Sequence, residues 1–125
     1  MKFLLIFIRK YWRGCTITLL IMLTVLSLWP MKSLPSVPGG DKFHHIIAYA
    51  ALAFPIALRH PKLWYIYIFL FIAYSGVLEL VQPFVNRYGE WLDMAANTSG
   101  VVCGILLAKM AHQWEKRQAR KQSKV

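Results

Sequence analysis

The sequence predicts an all-α membrane protein, a four-transmembrane-helix bundle with a polar site at the outer leaflet. Of its 125 residues 58% are hydrophobic and only 16% are charged, and the mean hydropathy is +0.45. Such a composition lies outside the usual range of soluble domains. Long apolar runs recur along the chain, and a polar stretch separates the last two of them. The length fits a single domain.

The first 14 residues form a basic segment that is too short to cross a bilayer. Its apolar run covers only residues 3–8, whereas a transmembrane helix needs about twenty apolar residues. We interpret it as an interfacial helix or as the lead-in to a first span at residues 15–29. A basic start before an apolar run is also typical of a signal peptide, but residues 29–31 lack the small side chains of a cleavage site, so we expect no cleavage.

A loop and a second span follow. Residues 31–40 contain prolines and glycines that break regular structure. The second apolar run covers residues 41–58, and Asp41 is placed to cap that helix or to lie in its first turn, where a negative side chain favours the helix dipole. Pro55 falls inside the run and is a candidate kink, because neighbouring helices can satisfy the freed carbonyl.

The second half of the chain contains two more spans and a tail. The third span is predicted at residues 63–81 and ends at Pro83, which cannot continue a helix. The fourth is predicted at residues 91–110. Residues 115–125 are basic and lack an apolar face, so we expect this tail to have no regular structure.

The distribution of positive charge predicts the orientation. Four spans put both termini on one side, and a cytoplasmic N-terminus leaves twelve Lys and Arg residues inside and three outside, as the positive-inside rule requires. The net charge of +10 is then explained by topology and anionic lipid rather than by nucleic acid. The expected divisions are residues 1–14, an N-terminal segment; 15–110, the transmembrane domain; and 111–125, a cytoplasmic tail. We expect a multi-pass protein of the bacterial cytoplasmic membrane.

Polar side chains concentrate at the outer end of this predicted bundle. Residues 79–97 hold three of the five acidic residues, and ionisable groups inside a membrane mark functional sites by default. On three helices the polar residues share one face at spacings of three or four, which predicts that the three faces point at each other. These stripes are Asp41, His45 and Tyr49; Glu79 and Gln82, with Ser75 one turn earlier; and Asp93 and Asn97.

These residue types allow specific chemistry. His45 beside Asp41 or Asp93 is a candidate general acid or base. Glu79, if partly desolvated, would favour its protonated form and could hold a proton. Arg87 can bind a phosphate or carboxylate group through a bidentate pair of hydrogen bonds. The alternative is a mutually satisfied polar network that only ties the helix ends together.

Other kinds of site have little support in the sequence. His44 and His45 are adjacent and face different ways on a helix, so we predict no metal site. Cys15 and Cys103 lie in or beside apolar runs and are interpreted as packing or lipid-facing residues. We identify neither a nucleophile signature nor a phosphate-binding loop, and we predict no cofactor.

Small residues recur every four positions on the fourth span, at Ala96, Gly100, Gly104 and Ala108. Such a strip lets helix backbones approach closely. It either seats this span against the second or third span, and so fixes Asp93 and Asn97, or forms the face of a homo-oligomer.

The ordered set of polar residues resembles the VanZ-like family of small bacterial membrane proteins. The matching pattern is Asp41-Lys42-x-x-His45-x-x-x-Tyr49, then Glu79-x-x-Gln82-x-x-x-x-Arg87, then Asp93-x-x-x-Asn97-x-x-Gly100-x-x-x-Gly104. The family is named for a member linked to low-level resistance to the glycopeptide teicoplanin, and it has no agreed reaction or cofactor. The resemblance implies importance for Asp41, Lys42, His45, Tyr49, Glu79, Gln82, Arg87, Asp93 and Asn97.

We therefore expect an envelope-acting protein whose outer polar pocket binds a lipid-linked or lipoglycopeptide molecule. Lys42 and Arg87 would hold an anionic group, His45, Glu79 and Asp93 would orient or protonate it, and apolar flanks would receive an acyl chain. The further ligand-binding candidates are Asp41, Tyr49, Gln82 and Asn97. The alternatives are a membrane enzyme with acid-base chemistry on a lipid head group, and a structural or assembly factor.

Overall fold

The chain is all-helical. The computed structural model describes residues 1–29 and 40–123, apart from the side chain of Asp41. Within these ranges there is no β-strand, so the predicted all-α class is confirmed. The helices are α1 (Lys2–Lys10), α2 (Trp12–Leu28), α3 (Asp41–Arg59), α4 (Trp64–Val81) and α5 (Trp91–Gln122), and a 3₁₀ turn (Gln82–Val85) follows α4.

The basic N-terminal segment forms a helix of its own, α1, bent by 82° against α2 at the break near Tyr11. One face of α1 covers the bundle: Leu5 is only 6% exposed and packs with Leu58 and Ala108. The opposite face leaves Phe3 exposed. The segment is thus distinct from α2, as the short apolar run predicted, and α2 begins earlier than residue 15.

Helix α3 is the centre of the bundle. Leu52, Ala53 and Ile56 are completely buried within a core cluster that also draws on α2, α4 and α5. The helix begins at Asp41, which puts that residue in the first turn, and it continues through Pro55. A position beside α5 explains how the start of α3 can carry a polar inward side chain, because His45 there faces Asn97 of α5.

Helices α3 and α5 run parallel and touch through their backbones. A Cβ atom added to Gly100 would collide with the carbonyl oxygen of Ile46, and one added to Gly104 would collide with that of Ala50. Both glycines are buried, as are Ala96 and Ala108 of the same strip. The strip therefore seats α5 on α3 within one chain, which is the first of the two arrangements that the spacing allowed.

Helix α5 extends far beyond the predicted fourth span. It begins at Trp91, as expected, but its 32 residues end only at Gln122, which makes it about 48 Å long at 1.5 Å per residue. The prediction of an irregular tail from residue 115 is wrong for the described part. Glu115 pairs with Arg9 of α1 at 2.8 Å, and this contact with α1 anchors the start of the tail.

Several helices suit a membrane by length and composition. Two described helices, 64–85 and Trp91–Gln122, are long and apolar enough to cross one, and the bent pair α1–α2 would make a third if it forms one span. Large apolar side chains are exposed on all five helices, among them Ile21, Phe69 and Leu106. Helix α3 lies outside these candidates, so the second span, at residues 41–58, stays a prediction. The predicted loop at 31–40 falls almost wholly outside the described residues.

The N-terminal ends of α3 and α5 and the C-terminal end of α4 lie at one end of the bundle. We call it the polar end. The opposite end is formed by α1, the C-terminal end of α3 and the C-terminal half of α5. We call it the basic end.

Candidate functional site

A chain of hydrogen bonds joins α3, α4 and α5 at the polar end. The Asn97 amide is its centre: its Oδ1 lies 2.8 Å from Nδ1 of His45, and its Nδ2 donates to the Ser75 hydroxyl at 2.9 Å. Asn97 is 2% exposed and Ser75 is fully buried. The three helices are therefore held together by polar side chains, and the orientation of the His45 ring is fixed by the helix it faces.

The carboxylate of Asp93 lies one turn of α5 before Asn97 and is 4% exposed. Its Oδ2 lies 3.9 Å from Nε2 of His45, and its Oδ1 lies 3.5 Å from Nζ of Lys42. The same ammonium donates to Oε2 of Glu90 at 2.9 Å. Lys42 thus lies at the mouth of the cluster between one buried and one exposed carboxylate.

Glu79 is turned inward from α4 and is 7% exposed. Its Oε2 accepts a hydrogen bond from the backbone N–H of Glu90 at 3.1 Å. The connection before α5 passes so close that a Cβ atom on Gly89 would collide with the carbonyl oxygen of Glu79. The absence of a side chain at Gly89 therefore lets the loop close over the end of α4 and bring Glu90 to Lys42.

Gln82 and Arg87 bind the end of α2 instead. The amide of Gln82 donates to the Ser27 carbonyl at 3.4 Å. The guanidinium of Arg87 donates to the carbonyl of Leu26 at 2.8 Å and to that of Trp29 at 3.4 Å. The last carbonyls of a helix lack partners within it, so both side chains cap α2 and anchor it to the 3₁₀ turn.

Three buried polar atoms at or near the polar end accept no hydrogen bond from the described residues. They are Oδ1 of Asp93, Oε1 of Gln82 and the hydroxyl of Tyr49. The Tyr49 hydroxyl lies near that of Ser75, but the geometry falls short of a hydrogen bond. Buried polar atoms without partners are uncommon in folded proteins and are costly.

The structure brings most of the predicted residues together. His45, Glu79, Asp93, Asn97 and Lys42 form one cluster, which we call the polar cluster together with Ser75 and Glu90. The roles assigned to these residues remain predictions. Arg87 and Gln82 border the cluster, Tyr49 lies buried beneath it, and the side chain of Asp41 is outside the described part.

Sequence reasoning left two members of the cluster out of the predicted site. Ser75 precedes Glu79 by four residues, so helical spacing already placed it on the polar face of α4. Glu90 carried a weaker signal, since only its position before α5 pointed to it. Among the described residues, no three His, Cys, Asp or Glu side chains are grouped to hold a metal ion.

Apolar cavities lie along the bundle, apart from the polar cluster. One of about 980 Å³ runs between the α1–α2 bend and α3, and its lining includes Tyr11, Leu19, Ile47 and Phe54. A second, of about 610 Å³, lies between α2 and α4. Both have the apolar lining that a hydrocarbon chain requires, and neither is lined by residues of the polar cluster.

Comparison with known proteins identifies the family. A family model described as VanZ/LLP1 matches residues 1–112, which takes in α1 to α4, the polar cluster and most of α5. The chain belongs to the VanZ/LLP1 family. This membership confirms the resemblance read from the polar pattern and, with the apolar helices, identifies a VanZ-like membrane protein. No curated protein and no solved structure matches the chain.

Proposed function

We propose that this VanZ-like protein binds the polar part of a lipid-linked or lipoglycopeptide molecule of the cell envelope at the polar cluster. The supporting observation is the buried convergence of His45, Asn97 and Asp93 from two helices, with an Asp93 oxygen that accepts no hydrogen bond. A buried acceptor without a hydrogen bond disfavours the empty state and is stabilised by a ligand that donates to it. The apolar cavity beside Tyr11 and Phe54 is the proposed place for an acyl chain.

The proposal includes the arrangement in the membrane. Helix α3 spans the membrane together with the three candidates named above, both termini are cytoplasmic, and the polar end lies at the outer leaflet of a bacterial cytoplasmic membrane. The excess of Lys and Arg at the basic end over the polar end supports this orientation through the positive-inside rule. We also propose a contribution to teicoplanin resistance, by analogy with the member for which the family is named. The test compares the teicoplanin concentration that inhibits growth of cells with the gene and of cells without it.

Lipid retention by the purified protein tests the binding. The full chain, incubated with a bacterial polar lipid extract, is examined by native mass spectrometry alongside His45→Ala and Ser99→Ala. Ser99 is exposed and bonds only within its own helix, so its variant is the matched control. We expect bound lipid to fall at least about tenfold in His45→Ala, as loss of a hydrogen bond to a charged group predicts, and to stay unchanged in the control. Equal retention by all three proteins would contradict the proposal.

A second candidate is a purely structural role, favoured by the hydrogen bonds that Asn97 makes to His45 and Ser75 within the protein itself. The two candidates differ in what His45→Ala loses. A binding site loses its lipid while the protein keeps its fold and abundance, whereas a structural network loses its thermal stability first. An enzyme, with His45 and Asp93 as acid-base pair, would in addition release altered lipids that mass spectrometry detects.

A further inference from the structure

The cations of the polar end are already engaged. Lys42 binds Glu90 and lies 3.5 Å from Asp93, and Arg87 donates to two backbone carbonyls of α2. An anionic head group that approaches Lys42 would compete with Glu90 and Asp93 for the same ammonium. The cluster also holds the carboxylates of Glu79, Glu90 and Asp93, so an incoming anion would meet negative charge.

The buried atoms without partners point the same way. Oδ1 of Asp93 and Oε1 of Gln82 are acceptors only, and their residues are 4% and 1% exposed. A ligand that completes their hydrogen bonding must therefore donate. A primary ammonium carries three N–H donors and a positive charge, and its bond to a carboxylate is of the strong, charge-assisted kind.

Lys42 lies where such an ammonium would bind. Its side chain is 49% exposed and reaches in from the surface, whereas the Asp93 side chain that it approaches is 5% exposed. Its Nζ is in hydrogen-bond contact with Glu90 but only within ion-pair distance of Asp93. The Asp93 carboxylate thus lacks a close hydrogen bond from the Lys42 ammonium, which is accessible from the surface. An ammonium on another molecule can replace that of Lys42.

We infer that the polar cluster recognises a primary ammonium, that of an amine-bearing envelope lipid such as a phosphatidylethanolamine, and binds it between Asp93 and Glu90 in exchange for the ammonium of Lys42. The inference rests on the proposed function and narrows its ligand. It reverses the earlier expectation that Lys42 and Arg87 hold an anionic group. Lys42 becomes a competitor for the site, and Arg87 a residue that positions α2.

Three lipids with identical acyl chains separate the possibilities. Phosphatidylethanolamine offers N–H donors, phosphatidylcholine carries a quaternary ammonium without them, and phosphatidylglycerol is anionic. Native mass spectrometry of the full chain with each lipid should show about a tenfold preference for phosphatidylethanolamine over phosphatidylcholine, the size expected of one charge-assisted hydrogen bond. Soluble ethanolamine should compete only at much higher concentration if the natural source is a lipid, and at comparable concentration if it is a free amine.

Two variants with matched controls test the exchange. Lys42→Met removes the competing ammonium and should raise retention of phosphatidylethanolamine several-fold, whereas Lys62→Met, an exposed lysine at the basic end, should not. Glu90→Gln removes an exposed carboxylate and should abolish the preference over phosphatidylcholine, whereas Glu115→Gln should preserve it. Neither cluster variant alters a buried side chain, so folding is expected to survive.

The outcomes distinguish the two proposals. A preference for phosphatidylglycerol that Lys42→Met abolishes would overturn the ammonium inference and leave lipid binding at the cluster intact. Lipid retention that is the same for every head group and in the Lys42, Glu90 and His45 variants would overturn both the ammonium inference and lipid binding at the cluster. A wild-type preference for phosphatidylethanolamine that Lys42→Met weakens would also contradict the exchange.

Discussion

Gly100→Ala should destabilise the protein by separating the helices that build the polar cluster. A Cβ atom at this position would lie 3.0 Å from Cα of Ile46, and because carbon atoms pack at about 3.5–4.0 Å, α5 has to move away by about 0.5–1 Å. The obstacle is backbone, which no side-chain rotation relieves. Overpacking of this kind costs about 1–3 kcal/mol. The same displacement stretches the 2.8 Å contact between His45 and Asn97 towards the limit of a hydrogen bond.

Gly76→Ala is the matched control, since it lies within α4 and its added Cβ would meet only the flexible end of Met94, at 3.5 Å. Unfolding of both variants in detergent, followed by circular dichroism during denaturant titration, gives the difference in free energy. We expect Gly100→Ala to lose about 1–3 kcal/mol and Gly76→Ala to be unchanged or slightly more stable, because alanine favours helix. Equal stability of the two would refute the backbone contact between α3 and α5.

Three further predictions concern other parts of the molecule. Asn97→Ala removes the hydrogen bonds to His45 and to the buried Ser75 hydroxyl and should lower the free energy of unfolding by about 1–3 kcal/mol in the same titration; a loss no greater than that of the exposed Ser99→Ala variant would contradict the network. Arg9→Gln removes the partly exposed ion pair with Glu115, so hydrogen exchange of residues 112–122 should quicken while global stability falls by less than about 1 kcal/mol; unchanged exchange would show that the pair does not anchor the tail. In a cysteine-free background, Tyr88→Cys should react with a membrane-impermeant maleimide on intact cells and Lys121→Cys only after permeabilisation, and the reverse pattern would refute the proposed orientation.

Much of the fold could be predicted because hydropathy fixes it locally. The apolar runs placed the starts of α3, α4 and α5 within a residue, since charged or turn-forming residues border them. The length of α5 beyond residue 110 was missed because the tail is polar on all sides, and polarity alone does not reveal that Arg9 binds Glu115. That contact depends on how α1 folds back across the basic end, which no local pattern encodes.

Helical periodicity predicted the members of the polar cluster better than their partners. Spacing put His45, Glu79 and Asn97 on inward faces, and the small-residue strip supplied the close approach that lets α3 and α5 share a hydrogen bond. Helical spacing did not reveal that Arg87 would bind carbonyls of α2. The partners of a long, flexible side chain depend on the positions of the surrounding backbone, which spacing alone does not give. The interpretation of Arg87 as an anion-binding residue came from residue type alone.

The central claim is that polar side chains from three helices meet at one end of the bundle and receive the head group of an envelope lipid there. An experimental structure of the full chain in nanodiscs that contain phosphatidylethanolamine tests it most directly. We predict His45 within hydrogen-bond distance of Asn97 and head-group density beside Oδ1 of Asp93. Imidazole, amide and carboxylate pointing apart, or head groups bound only at the basic end, would contradict it.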